Sequence, residues 1–229
     1  MQIDIQYSPA YSIAFATLSA GESIKAEAGA MVSHTQGLQM ETKAEGGIMK
    51  GLKRQFLGGE SFFMNTFTAT QEGDQIGLAP PLPGDMAHWP LAGQTVYLQS
   101  GAYVASSQGV EVDTEWGGSK TFFSGEGLII LKVSGTGDLV LSAYGAIHSI
   151  DLAAGQSYIV DTGHMVGWSE GVTYEVSKSA GGWKSTLLGG EGLVCTLTGP
   201  GRIYLQTRSP QDFIGWLVPQ LPKPSSSSS

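Results

Sequence analysis

The sequence predicts an all-β protein built from three internal repeats, and three observations lead to that prediction. A Gly-Glu turn that runs into an apolar segment occurs three times: LGGESFF at 57–63, FSGEGLI at 123–129 and LGGEGLV at 188–194. A longer phrase also aligns three times without gaps: AGAMVSHTQGLQMET at 28–42, SGAYVASSQGVEVDT at 100–114 and TGHMVGWSEGVTYEV at 162–176. Short β-rich segments, such as LQMET, VEVDT and VTYEV, alternate with glycine-rich turns, as in sandwiches and barrels.

Each repeat holds the same elements in the same order. It opens on AGES, AGQT or AGQS, continues through the long phrase and a Gly-Gly pair, and reaches a lysine before the Gly-Glu turn. Chance does not preserve order and spacing over so many elements, so the chain is an internal triplication. We expect repeats at about 21–70, 93–135 and 155–198, within one domain over 1–218. A pseudo-threefold barrel of this kind leaves few free sheet edges.

A short helix is expected to close the domain. Ser209 is a suitable N-cap, Pro210 suits the first helical position, and Asp212 comes three residues after the cap. Phe213, Trp216 and Leu217 are expected to form its buried face. Residues 219–229, which end in PKPSSSSS, are predicted to be a disordered tail.

Charge and cysteine content exclude several classes of protein. The net charge of −8 argues against a general nucleic-acid binder, because such proteins neutralise phosphates with basic residues. The single cysteine, Cys195, excludes an internal disulfide and a cysteine-based zinc cluster. The amino-terminal segment lacks the pattern of a secretory signal, and no apolar run is long enough to span a membrane. These features predict a soluble cytoplasmic protein.

Seven phrases, in order along the chain, resemble one known family. They are KAEAGAMVS, ETKAEGG, LGGESFFMNTFTA, QSGAYVASS, GGSKTFFSGEGL, DTGHMVGW and LLGGEGLVCTLTGPGRIYLQTR. The sequence is similar from about residue 2 to 217 to the altered-inheritance-of-mitochondria (mitochondrial biogenesis) family, in its bacterial branch. The resemblance implies a fold like that of the tryptophan RNA-binding attenuator protein, a double-stranded β-helix repeated within the chain. The family has no established biochemical activity, so the resemblance implies a fold rather than a function.

The repeated lysines and glutamates are the most attractive candidates for chemistry. They occupy equivalent positions in the three repeats: Lys53, Lys120 and Lys184, and Glu60, Glu126 and Glu191. Under threefold symmetry each set would form a ring, and a ring of carboxylates could hold Ca²⁺ or Mg²⁺. The alternative is a Lys–Glu pair within each repeat that supports its packing. We favour the structural alternative, because a pair kept in every unit serves the unit.

No other motif indicates catalysis or a cofactor. The four histidines lie at non-equivalent positions without metal-ligand spacing, and the chain contains no G-x-S-x-G motif. Its glycines lead into strands rather than helices, so they indicate turns and not a phosphate-binding loop. Cys195 lies where the other repeats have Met64 and Ile130, which predicts a small core residue. We therefore expect no cofactor and no catalytic residue.

One stretch of the acidic chain is basic and amphipathic. IMKGLKRQFL at 48–57 carries Lys50, Lys53 and Arg54 among apolar residues. It could contact an anionic membrane surface or a partner. Three charges are few for stable membrane attachment, so capping of the barrel end is favoured.

The composition predicts self-association. Only 14% of residues are charged, against about 25% in typical soluble domains. Trp89, Trp116, Trp168 and Trp183 lie in turn-rich stretches, where we expect exposure, and aromatic residues are enriched at interfaces. The predicted function is a non-enzymatic scaffold or binding protein that forms a homo-oligomer, with a trimer favoured. Two alternatives stay open: a small-ligand or RNA binder by fold analogy, and a metal-dependent enzyme.

Overall fold

The computed structural model describes residues 1–43, 64–113, 122–123, 128–178 and 193–222. The described chain is built from β-strands with one short α-helix, so the predicted all-β class is confirmed. The strands are β1 Gln2–Gln6, β2 Ile13–Leu18, β3 Ser23–Glu27, β4 Met31–His34, β5 Leu38–Lys43, β6 Met64–Ala69, β7 Asp74–Leu78, β8 Met86–Gln99, β9 Tyr103–Ser107, β10 Val110–Asp113, β11 Phe122–Phe123, β12 Leu128–Ser142, β13 Ile147–Leu152, β14 Ser157–Asp161, β15 Met165–Ser169, β16 Thr173–Lys178, β17 Leu193–Thr198 and β18 Gly201–Gln206. The helix is α1, Pro210–Leu217.

The strands form three sheets. The first has the order β1-β2-β7-β4, and the third has the order β14-β17-β16. The large middle sheet has the order β13-β18-β15-β8-β12-β9-β3-β6-β5, and β10 and β11 also pair with β12. All strand pairs that define these sheets are antiparallel. The antiparallel meander is what short strands joined by glycine-rich turns produce.

Two long strands, β8 and β12, form the centre of the large sheet. They pair along their whole length, with a register shift between Ser134 and Thr136. Gly135 lies at this shift with φ of +119°, a conformation that favours glycine. A Cβ at Gly135 would lie 2.2 Å from the carbonyl oxygen of Gly109. The glycine therefore permits a bulge that bends β12 so that its two halves contribute to different parts of the sheet.

Burial follows the two-residue period of the strands. In β2 the side chains of Ala14, Ala16 and Leu18 are buried, and the residues between them are partly exposed. The apolar side chains gather in three clusters. The first lies around β2, β3 and β7, the second around β8, β9 and β12, and the third around β15, β17 and β18. The strands are thus held by three adjoining cores.

The carboxy-terminal helix begins where the sequence predicts it. The Oγ of Ser209 accepts a hydrogen bond from the backbone N–H of Asp212 at 3.2 Å, and Pro210 is the first helical residue. The predicted buried face is wrong, because Phe213 and Trp216 are exposed. They stack on each other, with ring centroids 6.1 Å apart, instead of entering a core. A 3₁₀ turn follows at Val218–Gln220 and overlaps the start of the segment 219–229 predicted to be disordered.

The predicted exposure of the tryptophans is wrong at one position that the structure describes. Trp168 on β15 is only 1% exposed. Its ring stacks on Tyr97 at a centroid distance of 5.6 Å and contacts Tyr174 at 4.9 Å. Trp89 is partly buried and contacts Tyr204. Trp116 and Trp183 lie outside the described residues.

Candidate functional site

Among the described residues, β4 has a neighbouring strand on one side only. Its backbone pairs with β7, with Met31 opposite Leu78 and His34 opposite Ile76, and the sheet ends there. All four side chains of β4 are exposed, and 57% of the surface of Val32 is accessible. An edge with unpaired N–H and C=O groups beside apolar side chains is a template for another strand. β4 is therefore a candidate interaction site.

A buried carboxylate anchors the end of β4. Asp74 accepts a hydrogen bond from Oγ1 of Thr35 at 2.6 Å, and others from the backbone N–H groups of Thr70 and Gln71 at 3.1 and 2.9 Å. A Cβ at Gly37 would lie 2.4 Å from both carboxylate oxygens, so only glycine fits there. The hydrogen bond from Thr35 lowers the pKa of Asp74, against the opposing effect of desolvation.

The lowered pKa of Asp74 predicts acid sensitivity. Its stabilising effect is present above the unfolded-state pKa of about 3.9 and is lost as the pH falls through the lower folded-state pKa. We therefore expect Asp74→Asn to lower the melting temperature at neutral pH, and this difference from wild type to shrink at strongly acidic pH. Thermal melts across the acid range measure it. Asp4→Asn, at an exposed position, is the control. A deficit that is independent of pH would contradict the prediction.

A second candidate edge is β14, which pairs only with β17 among the described strands. Ser157 lies opposite Thr198 and Asp161 lies opposite Val194. The side chains of Tyr158 and Ile159 are 42% and 66% exposed. Two successive large side chains thus lie in solvent beside an unpaired strand backbone. As at β4, this edge is open to the addition of another strand.

Strands β9 and β15, unlike β4, have a neighbour on each side. β9 lies between β12 and β3, and β15 lies between β18 and β8. The contact between β3 and β9 is buried: Lys25 of β3 is 4% exposed and Ser106 of β9 is 1% exposed. The Nζ of Lys25 donates to the carbonyl oxygen of Val110 at 2.6 Å. A paired junction therefore removes even polar side chains from solvent.

A cleft of about 320 Å³ lies beside α1, lined by Tyr144, His164, Arg208, Phe213 and Trp216 among others. The Nδ1 of His164 is 2.8 Å from the carbonyl oxygen of Gln206, and its Nε2 is 4.0 Å from a carboxylate oxygen of Asp212. The cleft combines aromatic rings with a guanidinium group. That combination suits a small anionic or aromatic group.

The predicted lysine and glutamate positions lie outside the described residues. They are Lys53, Lys120, Lys184, Glu60, Glu126 and Glu191. The basic stretch with Lys50, Lys53 and Arg54 also lies outside them. Both the structural pairing and the cation ring stay predictions, as does contact of the basic stretch with a membrane.

The histidines that the structure describes lie in separate parts of the fold. The Nε2 of His88 is 2.7 Å from Oδ1 of Asp138, whereas His164 lies at the cleft beside α1. In the described ranges no three histidine, cysteine, aspartate or glutamate side chains group closely enough to hold a metal ion. In the same ranges no helix is both long and apolar enough to cross a membrane.

Cys195 lies in the third core cluster, as the sequence predicts. It is buried beside Leu197 and Ile203, and its desolvation raises the pKa of the thiol to about 12. A backbone hydrogen bond involving Glu175 opposes this effect weakly. Because the thiolate is the nucleophile, a buried thiol of high pKa is unreactive.

Cys195 is therefore expected to resist alkylation in the folded protein. Iodoacetamide at pH 8 should leave the native protein unmodified over a time in which the urea-unfolded protein is fully labelled. Mass spectrometry of the intact chain measures the adduct. An exposed thiol introduced by Met40→Cys, at an exposed position, serves as the positive control. Rapid labelling of native wild-type protein would contradict the burial of this group.

The sequence carries no signal that separates the open edges from the closed junctions. Val32 of β4 has valine at both matched positions of the long phrase, Val104 and Val166. Val104 and Val166 are buried, whereas Val32 is exposed. The residue type is the same, and only the presence of a neighbouring strand differs. The candidate site therefore becomes visible only in the assembled sheets.

Comparisons with known proteins match one family and two similar bacterial proteins. The sequence pattern of the family described as mitochondrial biogenesis AIM24 matches residues 3–208. An uncharacterized protein of Streptococcus pyogenes serotype M6 is 30% identical over 234 residues, which cover 98% of this chain and 93% of that protein. The X-ray crystal structure of protein SPYM3_0169 from Streptococcus pyogenes has a TM-score of 0.80 and 28% identity, and covers 96% of this chain and 99% of that one.

Proposed function

This chain belongs to the mitochondrial biogenesis AIM24 family, and from that premise we propose that it is a non-enzymatic, self-associating scaffold or binding protein of the bacterial cytoplasm. One observation carries the proposal: β4 and β14 are open sheet edges that expose Val32, Tyr158 and Ile159. Isolated exposed apolar side chains are common on proteins. Apolar side chains along an unpaired strand are different, because strand addition supplies both backbone hydrogen bonds and apolar burial.

The proposal includes a threefold repeated unit made of two small sheets. The first unit would comprise β2-β7-β4 facing β3-β6-β5, and the third unit would comprise β13-β18-β15 facing β14-β17-β16. In the middle unit, the two halves of β8 and β12 would serve both sheets, together with β9 and β10. Two sheets formed by alternate strands of one chain are the arrangement of a double-stranded β-helix.

Matching strand registers support this repeat. The middle strand of each proposed triplet pairs at equivalent points: Ser23 with Thr68, Thr95 with Ser134, and Ser157 with Thr198. A bulge follows the first pair of each opposite triplet: Met31 with Leu78, Tyr103 with Leu141, and Met165 with Leu205. The first set of pairs begins at the last residue of AGES, AGQT and AGQS, and the second set falls at matched positions of the long phrase, which favours descent from one unit.

The test of the proposed function is the mass of the purified protein in solution. Light scattering behind size exclusion at low micromolar concentration is expected to give a multiple of the 24.0 kDa chain mass. Three chains is the favoured number, in keeping with the proposed internal symmetry, although cyclic dimers are commoner among proteins. A single monodisperse peak at the chain mass would refute self-association.

A further inference from the structure

We propose that β14 of one copy pairs antiparallel with β4 of a second copy, with Tyr158 opposite Thr35, Ile159 opposite His34, and Val160 opposite Ser33. The inference rests on the proposed self-association and specifies its contact. It joins two different edges, so the association is head to tail. A second copy of this chain is the proposed partner of these edges, because the same kind of strand contact already occurs twice within the chain, between other pairs of strands.

The first internal example of the contact joins β3 to β9. Its register places Ile24 opposite Ser107, Lys25 opposite Ser106, and Ala26 opposite Ala105. The second example joins β8 to β15, with Val96 opposite Ser169, Tyr97 opposite Trp168, and Leu98 opposite Gly167. Both junctions therefore use three antiparallel residue pairs between a strand of one proposed unit and a strand of the next.

The strands at the open edges are the counterparts of those in the junctions. β14 corresponds to β3 and to the second half of β8, because each begins opposite the matching residue of its partner strand: Ser157 with Thr198, Ser23 with Thr68, and Thr95 with Ser134. β4 corresponds to β9 and β15 through the long phrase and the shared bulge. Transferring the junction register to β14 and β4 gives the three proposed pairs.

Burial at matched positions shows what the edges lack. Ile159 corresponds to Lys25, which is 4% exposed in its junction, and to Tyr97, which is partly buried, yet Ile159 is 66% exposed. His34 corresponds to Ser106 and Trp168, each 1% exposed, yet His34 is exposed. These positions are thus buried or partly buried in the two junctions and exposed at β14 and β4. Pairing β14 with β4 would bury Ile159 against His34.

The side chains at the two edges are compatible with pairing. Ile159 and Val32 are apolar, and β14 and β4 between them carry one carboxylate, Asp161. The Oδ1 of Asp161 accepts from the backbone N–H of Gly163 at 2.8 Å within its own chain. No like charges therefore face each other across the three proposed pairs, whereas such charges would oppose association. The strands can add backbone hydrogen bonds without burying an unpaired charge.

Disulfide cross-linking between two variants, each with one introduced cysteine in addition to the buried Cys195, tests the register. His34→Cys and Ile159→Cys are purified separately, mixed, and oxidised with copper phenanthroline. Residues opposite each other in antiparallel strands have Cα atoms about 4.5–5.5 Å apart, within the about 4.4–6.8 Å that a disulfide spans. A covalent dimer is expected on a non-reducing gel, formed in those contacts where β14 of an Ile159→Cys copy meets β4 of a His34→Cys copy. Each variant oxidised alone should stay a single chain, because neither position faces its own copy.

A matched control and a second chemistry make the test decisive. Met40→Cys introduces an exposed cysteine on β5, another edge strand, and should not cross-link to Ile159→Cys. A short bismaleimide replaces oxidation if the disulfide geometry is unfavourable. Cross-linking of Ile159→Cys to itself would overturn the head-to-tail contact. An oligomer by light scattering with no His34–Ile159 cross-link by either chemistry would overturn the contact but keep the proposed function, whereas a monomer would overturn both.

Discussion

Replacing Tyr158 by lysine is expected to convert the proposed oligomer into a single chain of 24.0 kDa. Tyr158 lies in the proposed contact opposite Thr35 and is 42% exposed in the isolated chain, so we expect the substitution to leave the fold of the chain intact. In the assembly, however, the lysine ammonium group would enter the position that Ile24 and Val96 occupy in the two internal junctions, where each is 1% exposed. Burying an unpaired charge is costly, and lysine on edge strands is the usual device that prevents strand addition.

The expected loss of association affinity is large enough to measure directly. We expect the dissociation constant to rise at least ~100-fold, which corresponds to about 2.7 kcal/mol of association free energy. Light scattering across a concentration series measures the shift. Ile214→Lys is the matched control, because Ile214 is also an exposed large apolar residue but lies on α1, outside both β4 and β14. Wild-type mass for Tyr158→Lys together with a reduced mass for Ile214→Lys would move the interface to the helix.

Removing the side chain of Trp168 is expected to cause the largest loss of folding stability. The ring is buried where β15 meets β8, stacked on Tyr97 and in contact with Tyr174. Trp168→Ala deletes these contacts and leaves a cavity, which costs about 3–5 kcal/mol. Because the ring lies at the junction of the second and third clusters, we expect the two to unfold with less cooperativity in this variant.

A phenylalanine at position 168 separates packing from hydrogen bonding. Among the described residues, Nε1 of Trp168 is buried and makes no hydrogen bond. Trp168→Phe removes this costly polar group while it keeps an aromatic ring, so its loss should be well below that of Trp168→Ala. Trp216→Ala, at an exposed position, should change stability by less than about 0.5 kcal/mol. Urea unfolding at one fixed protein concentration compares the three variants, and equal losses for Trp168→Ala and Trp216→Ala would contradict the assigned burial.

Local features of the fold were predictable from the sequence, because local geometry determines them. The start of α1 follows from one serine, one proline and one aspartate, and Ser209 caps the helix as expected. β5, β10 and β16 follow from the alternation of apolar and polar residues in LQMET, VEVDT and VTYEV, and the core position of Cys195 follows from matched positions of the predicted repeats. Each of these depends on neighbours in the sequence or on equivalent residues, both of which the sequence displays.

Features that depend on distant neighbours were not predictable. Trp168 follows a turn in the sequence, yet it is buried because β18 and β8 flank its strand. Phe213 and Trp216 have helical spacing, but no part of the described chain covers them. Val32, Val104 and Val166 occupy matched positions of the long phrase, and only the arrangement of the sheets makes Val32 exposed. The sequence pattern therefore could not identify the candidate edges.

β4 and β14 are different strands at the ends of different sheets, and this asymmetry has a consequence for mixed populations. A Tyr158→Lys chain keeps an intact β4, so it can still accept β14 from a wild-type neighbour while its own β14 no longer pairs with the next copy. Such a chain would stop the assembly from growing in one direction, even where most of the other copies are wild type. In a cell that produces both forms, the fraction of assembled protein would fall by more than the fraction of mutant chains. The substitution of a single surface residue would therefore be dominant.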